Sequence, residues 1–309
     1  MALEHSESLI HAQPEHHVFA LRHIRDTLDA DYAACRDIMQ AASKNYSFAA
    51  RFLPADKRRH VEALYALMRV GDDIVDVHYQ GDAARAAIEQ FEALYWQAFE
   101  AGTSAHPVLR AYLHTAHQFG ISPELMRPYF RAMIEDLTIT RFSTFADLLY
   151  YMEGSAMTVG RAMAHILGTK TQAVEDVYEA ADALSIAMQL SNFWRDVAQD
   201  WSRGRVYIPQ EDLERFGYTE DDLAAGRNNQ NWINLMEFEI ERTDAYYTAA
   251  RQGVAALHSG QWAVMSALKI YRAILTNIRK NRYDVFSTRA GANKVEKIGL
   301  LLAAWRQTR

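Results

Sequence analysis

Apolar residues recur at spacings of three and four from Phe19 almost to the end of the chain, the period of helices with one buried face. The pattern predicts helices over 19–42, 56–78, 81–101, 106–119, 122–138, 143–152, 154–167, 172–201, 209–215, 219–224, 228–258, 260–282 and 291–306. Pro54-Ala55-Asp56, Ser122-Pro123-Glu124 and Thr219-Glu220-Asp221 place capping or acidic groups at first turns, and Gly102, Gly120, Gly168 and Gly217 stand where helices should end. No segment sustains the alternation of a strand. The expected fold class is all-α, with residues 19–309 as one helical domain and the polar, His-rich residues 1–18 as a disordered tail. The longest break in periodicity, Arg203 to Gln210, reads as a movable lid after a long helix.

Composition agrees with the pattern. Half of the 309 residues are apolar, 23% are charged, and there are only 14 glycines and 6 prolines, few for a chain of strands and tight turns. The single cysteine, Cys35, excludes an internal disulfide and any Cys-based zinc site. A net charge of −6 gives no global field for nucleic acid. No apolar run reaches the ~20 residues of a membrane span, and the first residues lack the basic-then-apolar pattern of a secretory signal. The expectation is a cytoplasmic protein.

Two segments carry chemistry. Along Ala63–Asp76, Tyr65, Arg69, Asp72 and Asp76 fall within roughly 60° on one helix face. Along Gln189–Asp200, Gln189, Asn192, Asp196 and Asp200 share an arc of roughly 80°. Aspartates four apart repel one another and cost an isolated helix about 0.2–0.5 kcal/mol. One such pair reads as a solvated face. Two of them, in helices otherwise rich in apolar residues, read as a binding site. Carboxylate and amide oxygens, with no His or Cys, are hard ligands suited to Mg²⁺, with Mn²⁺ as the alternative ion. Mg²⁺ completes its shell with water and substrate phosphates, so the stripes predict a phosphorylated substrate. Arg69, Arg195, Arg203 and Arg205 stand beside them to bind the anion. Asp72, Asp76, Asn192, Asp196 and Asp200 are the expected metal ligands, and Asp73 lies off the stripe. No glycine-rich phosphate loop, dinucleotide fingerprint, His-Glu-x-x-His or Gly-x-Ser-x-Gly is present.

These residues resemble the squalene and phytoene synthase family, the head-to-head prenyl transferases. The first acidic motif is Asp72-Asp73-Ile74-Val75-Asp76, and the second runs from Asn192 to Asp200, followed by Arg203-Gly-Arg-Val-Tyr-Ile-Pro209. Ser43-Lys44-Asn45-Tyr46-Ser47, Tyr151–Gly160 and Tyr283–Arg289 match further elements in the right order. Three departures stand out: Ala42 where some members have His, Ala198-Gln199 in place of Gly-Glu, and Met152-Glu153 after Tyr151.

The resemblance implies the isoprenoid synthase fold, helices around a deep central cavity. It implies condensation of two allylic prenyl diphosphates through a cyclopropylcarbinyl diphosphate, with Asp72, Asp76, Tyr151, Asp196 and Asp200 in the catalytic machinery. Ser43, Lys44, Asn45, Tyr65, Arg69, Gln189, Arg195, Arg205, Tyr271 and Arg289 are the implied substrate contacts. Two geranylgeranyl diphosphates giving phytoene is the leading reading, because the second motif with Arg203–Gln210 is most like the bacterial carotenoid enzymes. The alternative condenses two farnesyl diphosphates to dehydrosqualene or squalene, with NADPH required only for squalene. An inactive relative serving as an assembly factor is the alternative of another class, and retention of both acidic stripes argues against it. A terpene cyclase should lack the Arg-Gly-Arg-Val-Tyr-Ile-Pro element. The very apolar product predicts peripheral membrane contact for its release.

Overall fold

The computed structural model describes residues 24–42, 47–48 and 50–308. The expected tail, residues 1–18, and the start of the first predicted helix lie outside them. The described residues form helices joined by turns and loops, with no strand beyond one isolated bridge between Thr169 and Leu257. They fall into two units: residues up to Leu137 with His165–Gly168, and Thr138–Ala164 with the residues from Thr169 onward.

The first unit holds α1 (Ile24–Ala42), α2 (Ala55–Asp73), α3 (Gly81–Ala101), α4 (Pro107–Phe119) and α5 (Arg127–Glu135). Its core is apolar and aromatic, with Leu64, Leu67, Ile88, Tyr95, Tyr112 and Phe130 fully buried. Gly102 and Gly120 end α3 and α4 in the left-handed conformation that only glycine adopts freely. Arg110 grips the buried Asp31 with two hydrogen bonds of 2.7 and 2.6 Å, tying α4 to α1, and also donates to the Ser104 and Ala105 carbonyls. Ser122 caps the short turn before α5 by accepting from Glu124 N–H.

The helix predicted over 56–78 is α for most of its length and then widens into a π-helical turn over Ile74–His78. A second π turn, Glu153–Met157, joins the two helices predicted over 143–152 and 154–167. In a π turn each residue advances through less than the ~100° of an α-helix. The arc computed for Asp76 from α geometry therefore does not apply to its last step. Such turns occur frequently at functional sites, and here one carries Asp76 and the other begins two residues after Tyr151.

The second unit contains α6 (Phe145–Met152), most of α7 (Thr158–Leu167), α8 (Tyr178–Ser202), α9 (Gln210–Arg215), α10 (Glu220–Ala224), α11 (Gln230–Ala256), α12 (Gln261–Lys280) and α13 (Lys294–Gln307). Thr144 with Asp147 and Thr219 with Asp222 form reciprocal capping boxes that start α6 and α10. The long α8 and α11 lie side by side. Trp194 donates to Thr243 (2.8 Å), Ser191 meets the Tyr247 hydroxyl (2.8 Å), and Gly253 lets the helices approach: a Cβ there would stand 2.3 Å from that of Ala180. These partners are fully buried, so each hydroxyl and indole N–H is satisfied within the protein.

The segment Arg203–Gln210, expected as a movable lid, is anchored. Val206 N–H donates to Thr140 O and Gln210 N–H to Phe142 O, both at 2.9 Å, while Val206, Ile208 and Pro209 are buried. Arg141 clasps the next turn by pairing with Glu220 and donating to Gly204 O. The sequence shows a break in helical period here, but a loop that buries alternate apolar side chains and bonds its backbone to a neighbour is not a free loop.

Candidate functional site

The first acidic group lies at the C-terminal end of α2, in the first unit. Asp72 is half-buried and Asp76, in the π turn, is exposed. Burial pushes the Asp72 carboxyl up to about 7, against the pull of Arg69, and the neighbouring carboxyls of Asp136, Asp76 and Asp73 push the same way. Arg69 does not close on Asp72. It pairs with Asp73, one turn on, through contacts of 3.1 and 2.5 Å. Asp73, off the predicted stripe, is thus the aspartate that orients Arg69. Asp136, just past the end of α5, joins this group although no spacing argument marked it.

The close approach that builds this end of α2 depends on Gly71. The Tyr129 hydroxyl of α5 donates to Met68 O at 2.8 Å, and a Cβ on Gly71 would stand 1.8 Å from that hydroxyl. Neither Gly71 nor Tyr129 had a signal in the sequence, because only packing reveals which helix passes over a glycine. Tyr65 is half-buried one turn before Arg69.

The second acidic group is on α8, in the second unit. Asp196 is gripped twice: Arg195 reaches it at 2.8 and 2.5 Å, and Arg289 at 2.7 and 2.9 Å. Burial alone would raise its pKa, but the two guanidiniums hold it below the usual carboxylate range. Asp200, one turn later, is pushed up to about 7 by burial and by Asp196, with Arg203, Arg205 and Arg195 pulling against this. Gln189 and Asn192 are half-buried two turns and one turn before Asp196 on the same helix.

Arg289 reaches Asp196 from a turn built for it. Arg282 and Tyr283 both take positive φ, 54° and 61°, a conformation non-glycine residues rarely adopt. Trp232 Nε1 holds the Tyr283 carbonyl at 2.8 Å, and the Tyr283 hydroxyl donates to Glu237. Asp284 accepts from the N–H groups of Phe286 and Ser287, both at 3.0 Å. Tyr271 lies near enough to Arg289 to interact electrostatically with it.

Aromatic faces complete this side of the site. Tyr207 stacks on Phe193 with ring centroids 3.8 Å apart and planes 8° from parallel. Phe142 and the buried Tyr151 stand beside Tyr207 at 5.9 and 6.1 Å. Arg205 is 3.4 Å from the Tyr207 hydroxyl. A small cavity bounded by Phe193, Val197, Asp200, Arg205 and Tyr207 opens at this group.

The structure therefore brings Asp72, Asp76 and Arg69 into one group, and Asp196, Asp200, Arg195, Arg205, Arg289, Tyr151 and Tyr271 into the surroundings of the other. Ser43, Lys44 and Asn45 lie outside the described residues. Among the described residues no three His, Cys, Asp or Glu side chains gather tightly enough to hold a metal by protein ligands alone. The donor chemistry still fits Mg²⁺. Asp72 and Asp200 are carboxyls whose charged forms lack full compensation in the folded chain, and a divalent cation would supply it. Mg²⁺ takes one or two carboxylates and fills its shell with water and phosphate oxygens.

Comparison with known proteins agrees with the geometry. A squalene/phytoene synthase family profile matches residues 39–296. The phytoene synthase of Arthrospira platensis is 35% identical over 275 residues, 85% of this chain and 89% of that protein. The 15-cis-phytoene synthase of Synechocystis is 34% identical over 289 residues, 90% of this chain and 86% of the relative. Among solved structures, a dehydrosqualene synthase in complex with ligand superposes with a TM-score of 0.84 at 27% identity, covering 91% of this chain and 98% of the other. The all-α architecture is that of the isoprenoid synthases. With its acidic motifs, its arginines and its matches across most of its length, the chain belongs to the squalene/phytoene synthase family of prenyl transferases.

Proposed function

We propose that this enzyme condenses two geranylgeranyl diphosphates head to head into phytoene. The observation that carries the reading is the run of phytoene synthases, 34–35% identical over 85–90% of the chain, among its relatives. Retention of both aspartate pairs and of Arg69, Arg195 and Arg289 supports an active enzyme rather than an assembly factor.

The reaction needs two ionisations. In the first, the C1–O bond of one allylic diphosphate breaks, and the double bond of the second molecule attacks C1 and loses a proton to close a cyclopropane. In the second, the C–O bond of that cyclopropylcarbinyl diphosphate breaks, and rearrangement with loss of a proton gives the 1-1′-linked product. Asp72 and Asp76 on one helix, and Asp196 and Asp200 with Asn192 on another, would hold Mg²⁺ together with the substrate phosphates. Bound there, the ion supplies positive charge that stabilises the departing diphosphate.

The chain's own cations do related work. Arg195 and Arg289 form a fork around Asp196 whose remaining donors can take phosphate oxygens. Arg69 is oriented by Asp73 and is the corresponding donor at the first group. Arg205 and Arg203 lie within electrostatic reach of Asp200 and suit the same anion. Tyr151, Phe142, Phe193 and Tyr207 present aromatic faces, which attract cationic carbon and exclude the water that would trap it.

Purified enzyme incubated with labelled farnesyl and geranylgeranyl diphosphates, with and without NADPH, tests the reading. The expected outcome is phytoene from the C20 substrate, independent of NADPH. Preferential turnover of the C15 substrate would make the enzyme a squalene or dehydrosqualene synthase.

A further inference from the structure

Helix α13 is apolar on the wrong side. Its inner face is buried through Leu301 and Ala304, and Trp262 fastens it by donating to Leu301 O at 3.1 Å. The outer face should be polar. Instead Val295 is 80% exposed, Ile298 58%, Leu302 55% and Trp305 39%. These four residues fall within an arc of roughly 80° and form a ridge about 15 Å long. Contiguous apolar exposure of this kind marks an interaction surface.

We infer that α13 is a docking helix for anionic phospholipid bilayers, with Val295, Ile298, Leu302 and Trp305 entering the acyl boundary. The charges beside the ridge identify the partner. Lys294 and Arg306 flank it on the same helix, each about 20° beyond an end of that arc, and Lys280 stands near the helix start, 3.7 Å from Glu296. Glu296, the one acidic residue of α13, is engaged by Lys280 and by Asn277 at 3.1 Å. This basic border is a local feature of a chain whose net charge is −6. A second copy docked ridge to ridge would bring two basic borders together, whereas a bilayer of anionic lipid complements both ridge and border. Tryptophan near one end of the ridge suits the headgroup boundary, where its amphipathic ring is favoured. No described helix is long and apolar enough to cross a membrane, so this contact lies on the surface of the bilayer. The inference names a partner for the enzyme described above, but its physical basis is the helix alone.

The experiment is flotation of the full chain with vesicles of phosphatidylcholine alone or mixed with phosphatidylglycerol. The expected result is co-flotation with the mixed vesicles and little with phosphatidylcholine alone. The Ile298→Ser/Leu302→Ser variant removes two exposed side chains and opens no cavity. It is expected to lower vesicle affinity about tenfold or more while retaining wild-type helicity and wild-type turnover in detergent micelles. The charge reversal Lys294→Glu, at a helix start where an acid is tolerated, is expected to weaken binding to the mixed vesicles alone. Equal flotation of wild type and the double variant would overturn the inference, as would a wild-type chain that does not float. A lipid-free dimer abolished by the double variant would also overturn it, by assigning the ridge to a second copy. Flotation needs no turnover, so an inactive chain that floats would refute the proposed reaction and leave this inference standing.

Discussion

Asp196 and Asp200 stand one turn apart on α8 and meet opposite electrostatic conditions. Two guanidiniums, from Arg195 and Arg289, hold Asp196 ionised, while burial drives Asp200 up to about 7. A pair of equally exposed aspartates would titrate alike. The difference comes from Arg195, the chain neighbour of Asp196, and from Arg289, 93 residues away in sequence, whose fork closes on Asp196 with bonds of 2.7 and 2.9 Å.

Arg289→Gln is therefore expected to lower kcat/KM about 10²-fold, the cost of removing one preorganised electrostatic stabiliser. Arg289→Lys should recover only part of this, because an ammonium cannot span both oxygens of a carboxylate. Steady-state kinetics on both variants are the check. Wild-type kinetics for Arg289→Gln would place this arginine outside the reaction.

Asp76→Ala and Asp196→Ala should each reduce turnover of the allylic diphosphate about 10²–10³-fold. Supplying the cyclopropylcarbinyl diphosphate directly bypasses the first ionisation. If one acidic group serves mainly that step, its variant should convert the supplied intermediate better than the allylic substrate. Equal losses on both substrates would remove the division of labour, and near-wild-type turnover by either variant would refute the metal assignment.

Gly71→Ala is expected to destabilise the first unit by about 1–3 kcal/mol, the usual cost of overpacking, because the new methyl would meet the Tyr129 hydroxyl. Adding Tyr129→Phe removes the atom it strikes but leaves Met68 O without its donor. The double variant should melt above Gly71→Ala alone and below wild type. Thermal unfolding of the full double-mutant cycle measures this coupling, and strictly additive losses would show that the contact is not the cause.

Glu239 provides a pH test away from the reaction. It is fully buried beside Asp212 and Arg242, and burial raises it from 4.5 to about 8 despite Arg242. Between those two values the folded state holds a proton that the unfolded state has lost. Stability from this group therefore falls as pH rises through that window. Glu239→Gln should melt with a flatter pH profile than wild type from about pH 5 to 8. Parallel profiles would show that Glu239 stays ionised in the fold.

Much of the architecture was legible because helices report themselves locally. The predicted 81–101 matches Gly81–Ala101, and Thr219 and Ser122 cap where their side chains indicated. The two π turns were not legible. A run such as Asp72–Val77 has the same apolar period either way, and the choice between i→i+4 and i→i+5 bonding depends on what presses against the turn. The lid expected over Arg203–Gln210 is anchored by partners at Thr140 and Phe142, more than 60 residues upstream, which no local pattern names.

The sequence by itself determined the helices, the two aspartate motifs and their arginines, and the family those residues identify. Spacing along one chain is enough to say which groups share a helix face. Only the tertiary structure decided which arginine meets which aspartate: Arg69 turns to Asp73, and Arg289 crosses to Asp196. It also decided that Asp72 and Asp200 are the carboxyls left without full compensation, and that α13 turns an apolar ridge outward. Charge pairing and desolvation depend on distance and dielectric in three dimensions, and neither quantity is written in the order of residues.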